Sequence, residues 1–453
     1  MKKLLYFAAA AALVFGAAAC NGNKENVNEQ GLVDDGGTKL TPDAQKSKIE
    51  ETADALMSDL DLKVWQSEYD LVMNTVEEMQ EKDVDASAIE ERFKAIVDAW
   101  TTATGEEPGV VYTHVAHLSE LTGHFTENAN GAFDYEAAND LVITFFSGNK
   151  TISATASVTD RDEKILLNAS FSSSYSEDGK MYESGDYTYA YIPEKANLGI
   201  TVDGKSIASL EINLNYTDVN KDGQADQNDK LDLGYTMTVG AYTFAIDQAD
   251  YATDAASVKL RFLRDNKLVL GADAKAAAKF VEYAETYENG SYTHTELVPV
   301  SAEVNVDIEG KIQLAGNLPS GEALQAAVED MNAAMQKYDY EAYKKALDKF
   351  EKSFGIGVYY DGNNTLQATL GFEAISAQQG IADYNGDGVI NEQDFIGGGF
   401  YVNPVIRFLD GTTVGVEEYF SEDNFSGLME KVLSWAYGIM DYLGVNEEQP
   451  TQK

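Results

Sequence analysis

Two twelve-residue stretches carry side chains suited to holding a hard divalent cation. Residues 218–229 read DVNKDGQADQND, and residues 383–394 read DYNGDGVINEQD. In the first, Asp218, Asn220 and Asp222 fall at positions 1, 3 and 5, Gln224 at 7, Asp226 at 9 and Asp229 at 12. In the second, Asp383, Asn385 and Asp387 take positions 1, 3 and 5. Val389 offers its carbonyl from position 7, Asn391 stands at 9 and Asp394 closes the loop. Gly223 and Gly388 occupy position 6, where the chain must turn sharply. The spacing has a chemical reason: calcium takes about six to eight oxygen ligands, and alternate residues of a tight loop point inward. Asn-Asp-Gly clusters are also ordinary turns. Two matches of this length, both closing on Asp, favour calcium over turns alone.

These stretches resemble EF-hand loops, and the Asp at position 12 resembles dockerin modules in particular. The resemblance covers the loops only, and it implies a calcium site. A dockerin follows each loop with an amphipathic helix and keeps its two loops close together. Here LDLGYTMTV, after the first loop, alternates as a strand, and the two loops lie far apart in the chain. Docking to a cohesin is therefore not implied. The first loop connects two alternating strands, 208–216 and 231–239, and the second precedes GGGFYVNPVIRF. The expected role is structural: at a few Kd, each site contributes about 1 kcal/mol.

Three further sets of residues have types suited to chemistry: histidines for a transition metal, and tyrosines and tryptophans for glycans. His114, His117 and His124 crowd into a short stretch, but it reads as strand, where a spacing of three puts His114 and His117 on opposite faces. Tyr187, Tyr189 and Tyr191 share one face of a strand, either as a glycan platform or as a cross-strand ladder. Trp65, Trp100 and Trp435 fall on or beside helical patterns and read as core. No GxSxG, HExxH, P-loop or strand–GxGxxG–helix signature occurs. No catalytic residue is assigned, and the chain is read as a non-enzyme.

The sequence begins MKKLLYFAAAAALVFGAAAC. Lys2 and Lys3, a short apolar run and small residues before Cys20 form a secretory signal. The run ending at Cys20 resembles a bacterial lipobox, which implies cleavage before Cys20 and a lipid on its sulfur. Cys20 is the only cysteine, so no disulfide is available. The chain carries 76 acidic and 33 basic residues, a formal net charge of −43. Such a surface repels nucleic acid and anionic headgroups and attracts divalent cations.

The period of the apolar residues then sets the architecture. Residues 1–19 are the signal, 20–40 a polar tether, and 41–103 a helical segment that opens on the cap Thr41-Pro42. Ile49, Ala53, Leu56 and Leu60 make its first apolar stripe. Residues 104–318 alternate with period two and turn at Asp203-Gly204, Asp265-Asn266 and Glu309-Gly310, as antiparallel sheet does. Residues 319–354 are a helix pair, with Leu324, Val328, Met331 and Met335 as one stripe and Asp339 starting the second helix. Residues 355–420 return to strand around the second loop, 421–446 form a C-terminal helix, and 447–453 are a tail. The expected class is α+β: a large antiparallel β-sheet region with an N-terminal helical segment, an inserted helix pair and a C-terminal helix.

This pattern resembles lipoproteins of anaerobic gut Gram-negative bacteria. It combines the lipobox, the tether, short helices and hairpins of the kind in IPEKANLGITVDGKSIASL, and Asn21, Lys24 and Glu25 resemble their export tags. The resemblance implies an outer-membrane lipoprotein, on its periplasmic or cell-surface face, and no activity. The expected function is a calcium-stabilised binding protein for a glycan, peptide or host molecule. The alternatives are a carrier of lipid or another apolar ligand in a cavity between sheet and helices, and an envelope hydrolase acting on glycans through a carboxylate pair.

Overall fold

The computed structural model describes residues 28 and 30–437, apart from 106–108, 176–179, 222, 224–228, 253, 288–289, 338, 377–379, 382–394, 397–399, 422, 426, 429, 433 and 435–436. The signal, Cys20, Trp435 and the tail lie outside the described residues. The class is α+β, as the apolar periods predict.

In chain order the elements are α1 (Pro42–Asp59), α2 (Leu62–Gln80), α3 (Ser87–Ala99), β1 (Thr101–Thr104), β2 (Val111–Ala116), β3 (Gly123–Glu127), β4 (Phe133–Glu136), β5 (Leu141–Ser147), β6 (Lys150–Tyr175), β7 (Met181–Val202), β8 (Lys205–Thr217), β9 (Lys230–Val239), β10 (Tyr242–Ala252) and β11 (Ala255–Arg264). There follow β12 (Lys267–Tyr287), β13 (Gly290–Ile308), β14 (Ile312–Leu318), α4 (Gly321–Gln336), α5 (Tyr340–Ser353), β15 (Gly355–Tyr360), β16 (Ala368–Ser376), β17 (Gly380–Ile381), β18 (Phe395–Ile396), β19 (Phe400–Phe408), β20 (Thr413–Gly415) and α6 (Val416–Tyr419). Described residues between 423 and 437 are helical.

The chain forms two compact units. A middle unit runs Leu62–Lys267, and a split unit takes the chain up to Asp61 and from Leu268 onward. The helical segment 41–103 is thus divided at Asp61, and its last residues, from Thr101, are strand rather than helix.

In the middle unit the strands run β4-β3-β5-β6-β7-β8-β9-β10-β11. The sheet is not purely antiparallel as expected. β3 pairs β5 in parallel, and β2 pairs β7 in parallel along Gly185–Ala190. The reason for the first is topological: β4 occupies one edge of β3, so the chain crosses over to add β5 on the other. Phe125, Phe133, Phe145 and Ile152 form the core here, under Met79 of α2 and Ile89 and Phe93 of α3.

In the split unit the order is β12-β13-β14-β15-β16-β19-β20. The Thr41 side chain accepts the Ala44 amide, Ser320 the Ala323 amide and Asp339 the Ala342 amide, so each helix begins on its own cap. Two details depart from expectation. Within the expected tether 20–40, Leu32 is 2 % exposed among Ala315, Tyr359 and Leu366, and Leu40 donates to Gln367. On α4 the buried positions are Gly321, Ala327 and Ala334, while Val328 and Met335 are exposed. Small side chains let that helix approach its neighbours closely, which decides the face over bulk hydrophobicity.

Candidate functional site

The first predicted ion loop connects β8 to β9, and the pair Thr217↔Lys230 closes its base. At position 1, Asp218 Oδ1 accepts the Lys221 amide at 2.5 Å and Oδ2 accepts the Gly223 amide at 2.8 Å. Lys221 and Gly223 both adopt left-handed backbone, at φ 59° and 74°. Position 6 therefore turns as a glycine there permits. At position 12, Asp229 is 4 % exposed. Its Oδ1 accepts the Val219 amide at 3.1 Å, and its Oδ2 accepts the Tyr216 hydroxyl at 2.5 Å.

Carboxylates thus stand at both ends of the loop, and each of their oxygens accepts a donor of the protein. The donor chemistry and the turn at position 6 fit calcium. Asn220 is described and exposed. Asp222, Gln224 and Asp226 lie outside the described residues. So do Asp383, Asn385, Asp387, Val389, Asn391 and Asp394 of the second loop. Its base is closed by an antiparallel pair, Ile381↔Phe395, in the same manner as the first. Among the described residues no group of three or more His, Cys, Asp or Glu side chains is placed to hold a metal.

The first loop is also tied to the strand beside it. The Gly223 carbonyl accepts the Leu166 amide of β6 at 2.9 Å. Arg161 of β6 donates to the Tyr216 carbonyl and, at 2.7 Å, to Asn215 Oδ1. β6 is irregular over this stretch, with register shifts from Thr159 to Asn168.

The histidines separate. His114 Nδ1 bonds Thr101 at 2.9 Å, and its Nε2 lies 3.3 Å from Asp186. His124 Nε2 bonds Asp140 at 2.9 Å. His117 packs against the Tyr191 ring at 4.0 Å. The tyrosine row of β7 is half-buried, with Lys164 over the Tyr189 ring at 4.8 Å. Trp65 packs edge-on against Tyr242, and Trp100 Nε1 donates to Glu120.

Sequence reasoning named a cavity between sheet and helices as an alternative but assigned it no residues; one lies in the split unit. Its volume is about 180 Å³. The floor is one face of four neighbouring strands, supplied by alternate residues. Leu314, Val358, Ala368 and Phe408 form one continuous cross-strand row, since Leu314 pairs Val358, Val358 pairs Ala368 and Ala368 pairs Phe408. Ile312, Ile356, Leu370 and Ile406 extend it. Ile49 of α1 roofs it, and Val416, Tyr419 and Phe420 close the side.

Gln45, Tyr360 and Tyr419, polar groups of this cavity, are engaged. Gln45, 1 % exposed, donates from Nε2 to the Leu40 and Gln367 carbonyls at 3.1 Å each. Its Oε1 accepts the Tyr360 hydroxyl at 3.3 Å. Tyr419 donates to the Pro42 carbonyl at 3.3 Å. Burial pushes the Tyr360 phenol far above its ordinary range. Burial, with Asp43 and Glu50 nearby, pushes Tyr419 up to about 12. Both phenols are neutral at physiological pH. The lining carries no charged side chain and is almost wholly aliphatic and aromatic, with Thr369 as its one further polar residue, so its chemistry suits an apolar group. Cavities of about 150 Å³ lined by Leu, Ile and Phe stay dry and bind benzene-sized molecules. One signal for the missed roof is the spacing of Gln45, Ile49, Thr52 and Leu56 along α1. Gln45 and Thr52 are the buried positions of that helix. A polar residue at the centre of a helix face hides that face from an apolar count.

Comparison of the chain with protein families, with curated proteins and with solved structures gives no match.

Proposed function

We propose that this chain is a lipid-anchored binding protein of the cell envelope, tethered through Cys20 to the outer membrane and stabilised by calcium. Its ligand carries an apolar group that enters the cavity of the split unit. This joins the binding reading to the apolar-carrier reading and involves no catalytic step. The cavity is the observation that carries it: a continuous row of aliphatic and aromatic side chains on four strands, with every named polar group of the roof hydrogen-bonded inward.

Calcium supports the scaffold in this reading. What supports it is the sequence pattern of the first loop, with Asp218, Gly223 and Asp229 at positions 1, 6 and 12, and the left-handed backbone of Gly223.

The test is extraction of the purified protein with organic solvent, followed by mass spectrometry. A small apolar or amphipathic molecule in stoichiometric amount supports the reading. The same extract from an Ala368→Leu variant, which fills the cavity, lacks that molecule. An equal yield from both proteins refutes the cavity as the seat.

A further inference from the structure

We infer that the outer half of β6 is a self-association edge, through which two copies of this chain pair about a two-fold axis at Phe171. The edge of β6 away from β7 pairs β5 only up to Ala156. Beyond Leu166, which bonds Gly223, no other strand meets that edge among the described residues. Residues 167–175 are exposed throughout. Leu167 is 59 % exposed, Phe171 83 % and Tyr175 73 %, with Met181 of β7 at 50 % directly opposite Tyr175. Single exposed apolar residues are ordinary, but a row of them along an open strand edge is a template for another strand.

Two observations name a second copy as the occupant. The first is charge. The chain carries a net −43, so two copies repel over most of their surface, yet Ile165–Tyr175 contains no charged residue. The stretch also lacks the lysines and prolines that ordinarily guard an open edge. The second is the order of sizes. Leu167, Ala169, Phe171, Ser173 and Tyr175 read large, small, large, small, large about Phe171. An antiparallel partner centred on Phe171 places residue 169 opposite 173 and brings Leu167, in the irregular stretch at the end of the edge, toward 175. Large then meets large, small meets small, and Phe171 meets its own symmetry mate. Such self-complementarity is what an isologous contact requires. The intervening residues, Asn168, Ser170, Ser172 and Ser174, are all neutral and polar. The three exposed apolar side chains of the edge itself, Leu167, Phe171 and Tyr175, offer roughly 400 Å² per copy, so a pair buries up to about 800 Å², the size of a weak association. A bilayer is the poorer occupant, because Glu177 and Asp178 lie in the connection between β6 and β7.

The experiment uses the mature chain with Cys20→Ser, which leaves it free of cysteine. Sedimentation velocity across the micromolar range gives the dimer mass. Phe171→Asp puts two carboxylates on the axis and weakens association by roughly tenfold or more, with the far-UV spectrum unchanged. Phe171→Cys in the same background gives a disulfide-linked dimer on mild oxidation, because the two α-carbons face each other within bridging range. Phe146→Cys, on the exposed face of β5, does not. A chain that stays monomeric overturns the inference. So does a dimer that survives Phe171→Asp, or equal cross-linking from both cysteine positions.

Discussion

The amide of Leu166 donates to the carbonyl of Gly223 at 2.9 Å, which ties the turn of the first ion loop to strand β6. Whatever fixes the loop therefore fixes the strand at the point where its register shifts. Calcium is expected to raise hydrogen-exchange protection at Leu166 relative to EDTA, while core amides such as Phe145 keep theirs. Equal protection at Leu166 in both conditions contradicts a bound ion at this loop.

The carboxylates at the two ends of the loop give a stability prediction. With millimolar calcium, thermal unfolding of the middle unit rises by about 1 kcal/mol of stability, or roughly 2–4 °C. Asp218→Ala removes the increment and the hydrogen bonds to Lys221 and Gly223. Calorimetry with calcium and with EDTA reads both effects. A variant that keeps the full calcium response contradicts the assignment.

Gln45 holds three buried partners. Gln45→Ala leaves the Leu40 carbonyl and the Tyr360 hydroxyl without it, while the Gln367 carbonyl keeps the Leu409 amide at 3.1 Å. Each buried polar group left unsatisfied costs about 1–3 kcal/mol. Chemical denaturation is expected to show a loss of several kcal/mol, out of proportion to a helix-surface glutamine.

Much of the architecture was legible in the sequence, for a local reason. Asp203-Gly204, Asp265-Asn266 and Glu309-Gly310 all adopt positive φ at both turn residues, which is what two-residue hairpins demand. Asp339 caps its helix as its type and place predict. What stayed hidden depends on long-range packing. Nothing local tells β2 to join β7 in parallel. Leu32 looks like a stray residue in a polar tether until Tyr359 and Leu366 surround it. The residues of the cavity were hidden for the same reason: its floor joins residues near 312, 356, 368 and 406, and its roof turns on a glutamine.

The helix α4 shows the same point as a prediction. Ala327 and Ala334 are buried and Val328 and Met335 are exposed. Ala334→Leu overpacks the contact and costs about 1–3 kcal/mol. Met335→Ser stays within about 0.5 kcal/mol of the parent. The opposite ranking, measured by urea unfolding, contradicts the assigned face.

The two phenols of the cavity wall set an alkaline limit. A tyrosine whose folded pKa is raised favours the neutral form in the folded state. Its contribution is complete below the unfolded value of 10.0 and is lost as pH rises through the folded value, about 12 for Tyr419 and higher for Tyr360. Stability is expected to fall above pH 10 by about 1.4 kcal/mol per pH unit for each phenol. Tyr419→Phe removes its share of the slope. A stability that stays flat from pH 10 to the folded value contradicts burial of the phenols.

The claim that the cavity receives the apolar part of a ligand is tested most directly by titration. A benzene-sized fluorescent or calorimetric probe is added to the wild type and to the Ala368→Leu variant, both checked for an unchanged far-UV spectrum. One saturable site per chain in the wild type, abolished in the variant, is the expected result. No saturable binding by the wild type, or equal binding by the two proteins, contradicts it.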